Sequence, residues 1–194
     1  MSEFITDESK EPLTAKFNTA YEKGLSFKEK ANELFKNGEH KKAKSKYGLA
    51  LAHITGLKNS NRTRTGYEGF AHSEDEAKFT NEQETNLVAL ELTIYTNITM
   101  CCLKLEEFSD AVRYSEKAIR VDSNSWKAYL RRGQAYIGLE NASKAKEALN
   151  QAEKLTQDEK NLALIKNEKR KAKQITKKDD KESSNMWKGK KMFA

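Results

Sequence analysis

Apolar residues recur at helical spacing along most of the chain. Phe27, Ala31 and Leu34 stand at i, i+4 and i+7, one face of a helix. The next stretch, NGEH, breaks that helix at Gly38, a residue suited to the left-handed turn after a helix end. A second helix then places Ala43, Tyr47 and Ala50 on its own buried face. The unit reads as helix, short turn, helix. The same reading fits YTNITMCCLKLEEFSDAVRYSEKAIRVDSNS from Tyr95 and YLRRGQAYIGLENASKAKEALNQAEKLTQDE from Tyr129, in register at a period of 34 residues. The first unit lies 68 residues before the second, so about one further period is inserted after its second helix. Ala43, Ala111 and Ala145 recur through the units, as do Ala50, Ala118 and Ala152. Small side chains at fixed positions let paired helices approach closely. A single hairpin of this kind cannot bury its apolar face, so the units must stack.

The flanks are less regular. Residues 1–13 read as disordered. From Thr14 the pattern extends the first helix backwards, with Phe17 and Tyr21 at i, i+4, although Gly24 argues against that extension. Residues 57–80 are polar and rich in Gly, Asn, Ser and Thr, and read as a mobile loop. Its aromatics Tyr67, Phe70 and Phe79 could pin it to the surface, but its composition favours a solvated loop. Thr80 and Gln83 fit a capping box, so the next helix is predicted to start early. Residues 160–178 read as a capping helix whose Leu162, Ile165, Ala172 and Ile175 cover the last repeat. The basic tail, 179–194, loses periodicity. Its Met186, Trp187, Met192 and Phe193 leave fold-back, disorder, nucleic-acid stacking and membrane contact all open.

Composition supports helices and removes catalysis. Charged residues are 34% of the chain, with one Pro and nine Gly, which suits long solvated helices rather than a turn-rich sandwich. No run of about 18 apolar residues stands out, so no membrane span is expected. The N-terminus lacks the basic start and apolar core of a secretory signal. Cys101 and Cys102 are adjacent and point apart on a helix, so no disulfide is implied and a cytoplasmic setting is expected. The net charge of +7 is uneven: residues 160–194 hold 12 Lys/Arg against 4 Asp/Glu, a net of +8, leaving −1 for the rest. His40, His53 and His72 do not stand at metal-ligand spacing, and no glycine-rich phosphate loop or nucleophile elbow occurs. A protein without enzymatic activity, metal or cofactor is expected.

On these residues the chain resembles the tetratricopeptide-repeat family. The matching positions are Ala31, Leu34, Gly38, Ala43, Tyr47 and Ala50 in the first repeat, then Tyr95, Cys102, Ala111 and Ala118. Gly133, Tyr136, Ala145 and Ala152 match in the third. Ser123 and Gln157 stand where the family usually has proline. The resemblance implies an all-α fold: a right-handed superhelix of three helix-turn-helix repeats plus the C-terminal capping helix. The repeats fall at about 24–56, 92–125 and 126–159, within a domain of residues 14–178.

Helical phase then picks out five polar residues. Each residue turns about 100°, so with Phe27, Tyr95 and Tyr129 as zero, Lys28 lies at about 100° and Asn32 at about 140°. Lys127 lies at about 160°, and Asn97 and Arg131 at about 200°. All five point into one sector of the first helix of a repeat, the helix that lines the concave groove of such stacks. Cations and amides there suit a carboxylate ligand: Lys as a point charge, Arg as a planar fork, Asn as an orienting donor. The plain alternative is that each is simply solvated. Position by position the set resembles the carboxylate clamp of co-chaperone repeat domains. That resemblance implies binding of the Glu-Glu-Val-Asp tail of heat-shock protein 90 or heat-shock protein 70.

The long second helix running into ITGLKN, the insertion ending TNEQETN and the tail KGKKMFA also look like the tetratricopeptide repeat protein 9 family. The repeats resemble those of large immunophilins, but only 23 residues precede the first repeat and no isomerase domain is expected. The leading function is therefore a non-catalytic co-chaperone adaptor. The alternatives are a repeat scaffold for another partner, or nucleic-acid or membrane-surface binding through the basic tail.

Overall fold

The computed structural model describes residues 13–65 and 79–191. Among these there are seven helices and no strand: α1 (Leu13–Lys36), α2 (His40–Thr65), α3 (Asn81–Lys104), α4 (Phe108–Val121), α5 (Trp126–Gly138), α6 (Ala142–Lys154) and α7 (Glu159–Lys191). The chain divides into two compact units, Met1–Ile94 and Tyr95–Ala194, with α3 contributing to both. In the first, α1 packs along α2. In the second, α4 packs on α5, α5 on α6, and α7 on both α6 and α5. The all-α class and the helix-turn-helix repeat read from the sequence are what the structure has.

The turn is the same in all three repeats. Gly38, Glu106 and Glu140 stand one or two periods apart and all adopt the left-handed conformation, at φ 80°, 59° and 53°. Each is followed by the same hydrogen bond from backbone N–H to the carbonyl five residues back: Glu39 to Leu34, Glu107 to Cys102 and Asn141 to Tyr136. The N–H groups of Gly38, Glu106 and Glu140 bond the carbonyls of Phe35, Leu103 and Ile137. This double bond pattern satisfies carbonyls that the helix end leaves bare. Glycine enters the left-handed region without strain, whereas the two glutamates adopt it at a cost of about 1 kcal/mol.

The seam between paired helices is made of small residues. Ala43, Ala50, Ala111, Ala118, Ala145 and Ala152 are all fully buried. A Cβ on Gly133 would lie 2.6 Å from Leu149 Cγ, so any side chain there would force Leu149 to move. Gly24 shows the same effect in the first unit. A Cβ there would sit 3.1 Å from Ile54 Cγ2, which explains why α1 runs unbroken through a residue that disfavours helix.

Several expectations at the flanks are corrected. α2 continues to Thr65 rather than giving way to a loop at 57, because Leu57 is buried and anchors another turn. Phe79 is buried and meets Phe17 edge-on at 4.8 Å, while Phe17 stacks on Tyr21 at 5.5 Å; it is part of the core rather than a solvated loop. Residues 1–12, Tyr67, Phe70, Met192, Phe193 and the Met186 and Trp187 side chains lie outside the described residues. The capping box forms as predicted: Thr80 N–H donates to Gln83 Oε1 at 2.9 Å and Gln83 N–H to Thr80 Oγ1 at 3.1 Å. α7 packs through Ile165 and Ala172, both buried, with Leu162 and Ile175 half-buried. It does not stop at 178 but runs to Lys191. No residue between 178 and Gly189 breaks a helix, and Lys, Glu and Met favour one.

α3 is the helix that departs from the expectation of no apolar span. It is long and apolar enough by length and composition to cross a membrane, with a window of mean hydropathy 1.3. Its Leu87, Leu90, Ile94, Ile98, Cys101 and Cys102 are buried in the fold, and Glu91 is buried among them. That is the pattern of a core helix.

Candidate peptide-binding site

In the first unit the phase of α1 is fixed by Phe27, whose ring stacks on His53 of α2 at 5.4 Å. That contact leaves Lys28 and Asn32 half-buried on the adjoining face, one turn apart. The Asn32 Oδ1 accepts a hydrogen bond from the Tyr47 hydroxyl of α2. Tyr47 is buried in the hairpin, so its hydroxyl fixes the rotamer of the amide. With the oxygen engaged as an acceptor, the amide nitrogen is the end suited to donate to a carboxylate or a peptide carbonyl.

In the second unit Lys127 and Arg131 stand one turn apart on α5, and Asn97 is half-buried on α3. Lys127 is exposed, with its ammonium 5.7 Å from the Trp126 ring centroid. Arg131 is different. Its Nη1 donates to Gln134 Oε1 at 2.8 Å, and Gln134 Nε2 passes the connection to Glu168 Oε1 of α7 at 3.1 Å. Lys171 Nζ meets the same carboxylate oxygen at 3.0 Å. Glu168 is 9% exposed, the most buried carboxylate in α7 among the described residues. Burial lowers the Arg131 pKa from its ordinary value, and the Glu168 carboxylate pulls it partly back. The guanidinium stays charged at neutral pH. It is a partly desolvated cation held in one orientation, whose attraction for an incoming carboxylate is less screened than that of a surface lysine.

The structure thus pairs Lys28 with Asn32 on α1 in the first unit, and Lys127 with Arg131 on α5 in the second, the unit that also holds Asn97. Sequence reasoning missed Tyr47 as the partner of Asn32, and it missed Gln134, Glu168 and Lys171. A signal existed for two of them: Glu168 follows Gln134 by one repeat period of 34, so α7 carries the register forward as a half-repeat. For metal binding, the ligating atoms of Cys102, Glu107 and Asp110 lie within 4.8 Å of one another. Asp110 also accepts from Arg113 at 3.0 Å. One thiol with two carboxylates is a mixed donor set that matches no common structural zinc or calcium site.

Residues 127–159 match the family described as Tetratricopeptide repeat. Human peptidyl-prolyl cis-trans isomerase FKBP4 is 29% identical over 133 residues, which is 69% of this chain and 25% of that protein. The chain spans about a quarter of the length of the curated relatives it matches. The C-terminal TPR-containing domain of an FK506-binding protein from Plasmodium falciparum superposes with a TM-score of 0.64 at 22% identity. It covers 89% of this chain and 97% of that one. The first TPR of Spaghetti (RPAP3), solved bound to HSP90 peptide SRMEEVD, superposes with a TM-score of 0.52 at 23% identity, over 80% of this chain and 94% of that one. The fold is that of a tetratricopeptide-repeat domain.

Proposed function

We propose that the chain is a non-catalytic adaptor of the co-chaperone type that grips the C-terminal carboxylates of an acidic, EEVD-type peptide of heat-shock protein 90 or heat-shock protein 70. Lys28, Asn32, Asn97, Lys127 and Arg131 are the proposed contacts. The observation that carries this reading is Arg131. Its burial works against its charge, its side chain is held by Gln134 and Glu168, and nothing in the apolar core requires it. A half-buried guanidinium held in this way is poised for an anionic ligand. The ligand class is supported by the similar TPR domain solved with SRMEEVD. Arg131 and Lys127 supply charge, Lys28 adds a second cationic pole, and the two asparagines orient the peptide backbone. The isomerase named in the longer relatives takes no part in this reading, which assigns the chain no catalytic step. The finer likeness to the tetratricopeptide repeat protein 9 family, and a cytoplasmic setting for such an adaptor, are part of the same proposal.

The test is a titration of labelled SRMEEVD against the full chain, beside the same peptide with an amidated terminus and a peptide with the heat-shock protein 70 terminus. The acid should bind with a free energy on the order of −7 to −9 kcal/mol. Amidation should weaken it by roughly 1.5–3 kcal/mol, the scale of a charge-assisted hydrogen bond. Equal affinity for acid and amide would sink the proposal. The ratio between the two chaperone peptides decides which tail is preferred.

A further inference from the structure

The basic charge of the chain is concentrated on α7, and the fold arranges it. Lys166, Arg170, Lys173 and Lys177 are all exposed. At about 100° and 1.5 Å per residue they form a straight ridge within a sector of about 60°, about 16 Å long. Glu168 points away from this ridge, toward Gln134. Beside it, α6 and α7 border a groove of about 470 Å³. Small residues Ala142, Ala172 and Thr176 line it together with Lys146, Lys169 and Lys173. Lys169 is ion-paired with Glu153 of α6, while Lys146 and Lys173 stand exposed.

We propose that this groove and ridge dock an acidic amphipathic helix from a partner protein, at a site separate from the peptide-carboxylate residues. Small lining residues let a helix backbone approach closely, and a volume of this size accepts a few aliphatic side chains from its apolar seam. The cations at i, i+4, i+7 and i+11 match the spacing at which a second helix presents its own carboxylates. The chemistry favours this occupant over two others. No aromatic side chain lines the groove to stack on a base. Among the described residues of α7 the large exposed apolar side chain is Leu164, at about 160° from the ridge, so the stretch 166–177 presents no apolar wedge of its own to a bilayer.

The probe is an 18-residue helical peptide, acetylated and amidated so that it offers no terminal carboxylate. It carries glutamates at i, i+4, i+7 and i+11 beside an Ala/Leu seam. Anisotropy with the full chain should give a Kd on the order of 10–100 µM. Lys146→Glu with Lys173→Glu should weaken it by about tenfold or more, the scale of reversing close charge pairs. Thr176→Trp, which fills the groove without changing charge, should weaken it to a similar degree, and all variants should keep wild-type helicity and SRMEEVD affinity. No binding would overturn the proposal. So would binding indifferent to Thr176→Trp, which would mark diffuse attraction only, or tighter, ridge-dependent binding of a 20-base-pair duplex or phosphatidylserine vesicles. If Thr176→Trp perturbs the fold, Lys173→Glu combined with amide shift mapping of α6 and α7 decides in its place: shifts confined to those helices support the groove, and shifts elsewhere refute it.

Discussion

Asn32 and Gln134 stand three repeat periods apart and occupy the same place in the first and third repeats, yet they do different work. In the first repeat the facing position on the second helix is Tyr47, whose hydroxyl reaches across its own hairpin and holds the Asn32 amide. In the third repeat that facing position is Leu149, which has no polar atom and presses against Gly133. Gln134 is instead held from α7, through Glu168, and spends its other end on Arg131. The small-residue seam and left-handed turn are common to both repeats. The polar layer beside the seam is free to differ, and in the third repeat it holds a half-buried arginine in one orientation.

The largest effect should come from breaking the seam where it is tightest. Gly133→Val should cost about 3 kcal/mol in urea denaturation, because the fully buried Leu149 side chain has little room to withdraw. Gly133→Ala should also destabilise, against its helix propensity. Its combination with Leu149→Ala should be less than additive. A stabilising Gly133→Ala would break the comparison, since the equivalent Ala31 in the first repeat already carries its Cβ without exposure.

The polar layer should behave in the opposite way. Arg131→Met should leave stability within about 1 kcal/mol of wild type, since burial disfavours the cation it removes. Its affinity for SRMEEVD should fall by about 1.5–3 kcal/mol. A large loss of stability would show that the arginine is structural. Gln134→Ala should weaken the peptide by about 1 kcal/mol by releasing the guanidinium, and Tyr47→Phe should do about as much through Asn32. If neither changes affinity, the two amides do not position the site. Smallest and most local, Thr80→Ala should cost about 1 kcal/mol in thermal denaturation by removing one half of the capping box at α3.

The fold was legible because its determinants are periodic. Alanines every 34 residues mark the seam, and a pattern of this kind can be read without knowing any contact. The capping box was legible because it is local, four residues wide. What sequence reasoning missed was set by distant packing. Gly24 reads as a helix breaker until Ile54 is placed against it, and Phe79 reads as loop until Phe17 is found beneath it. The candidate site divides in the same way. Lys28, Asn32, Asn97, Lys127 and Arg131 came from helical phase, which carries direction only. Burial of Arg131 and its connection to Glu168 depend on where α7 docks, which phase along α5 cannot give.

The most direct test of the central claim is a double-mutant cycle between the protein and its ligand. Wild type and Arg131→Ala are each titrated with SRMEEVD as free acid and as terminal amide. If Arg131 receives a terminal carboxylate, the two changes share one interaction. The double change should then cost clearly less than the sum of the single ones, with a coupling of about 1–2 kcal/mol. Strict additivity, or affinity untouched by both changes, would contradict the account.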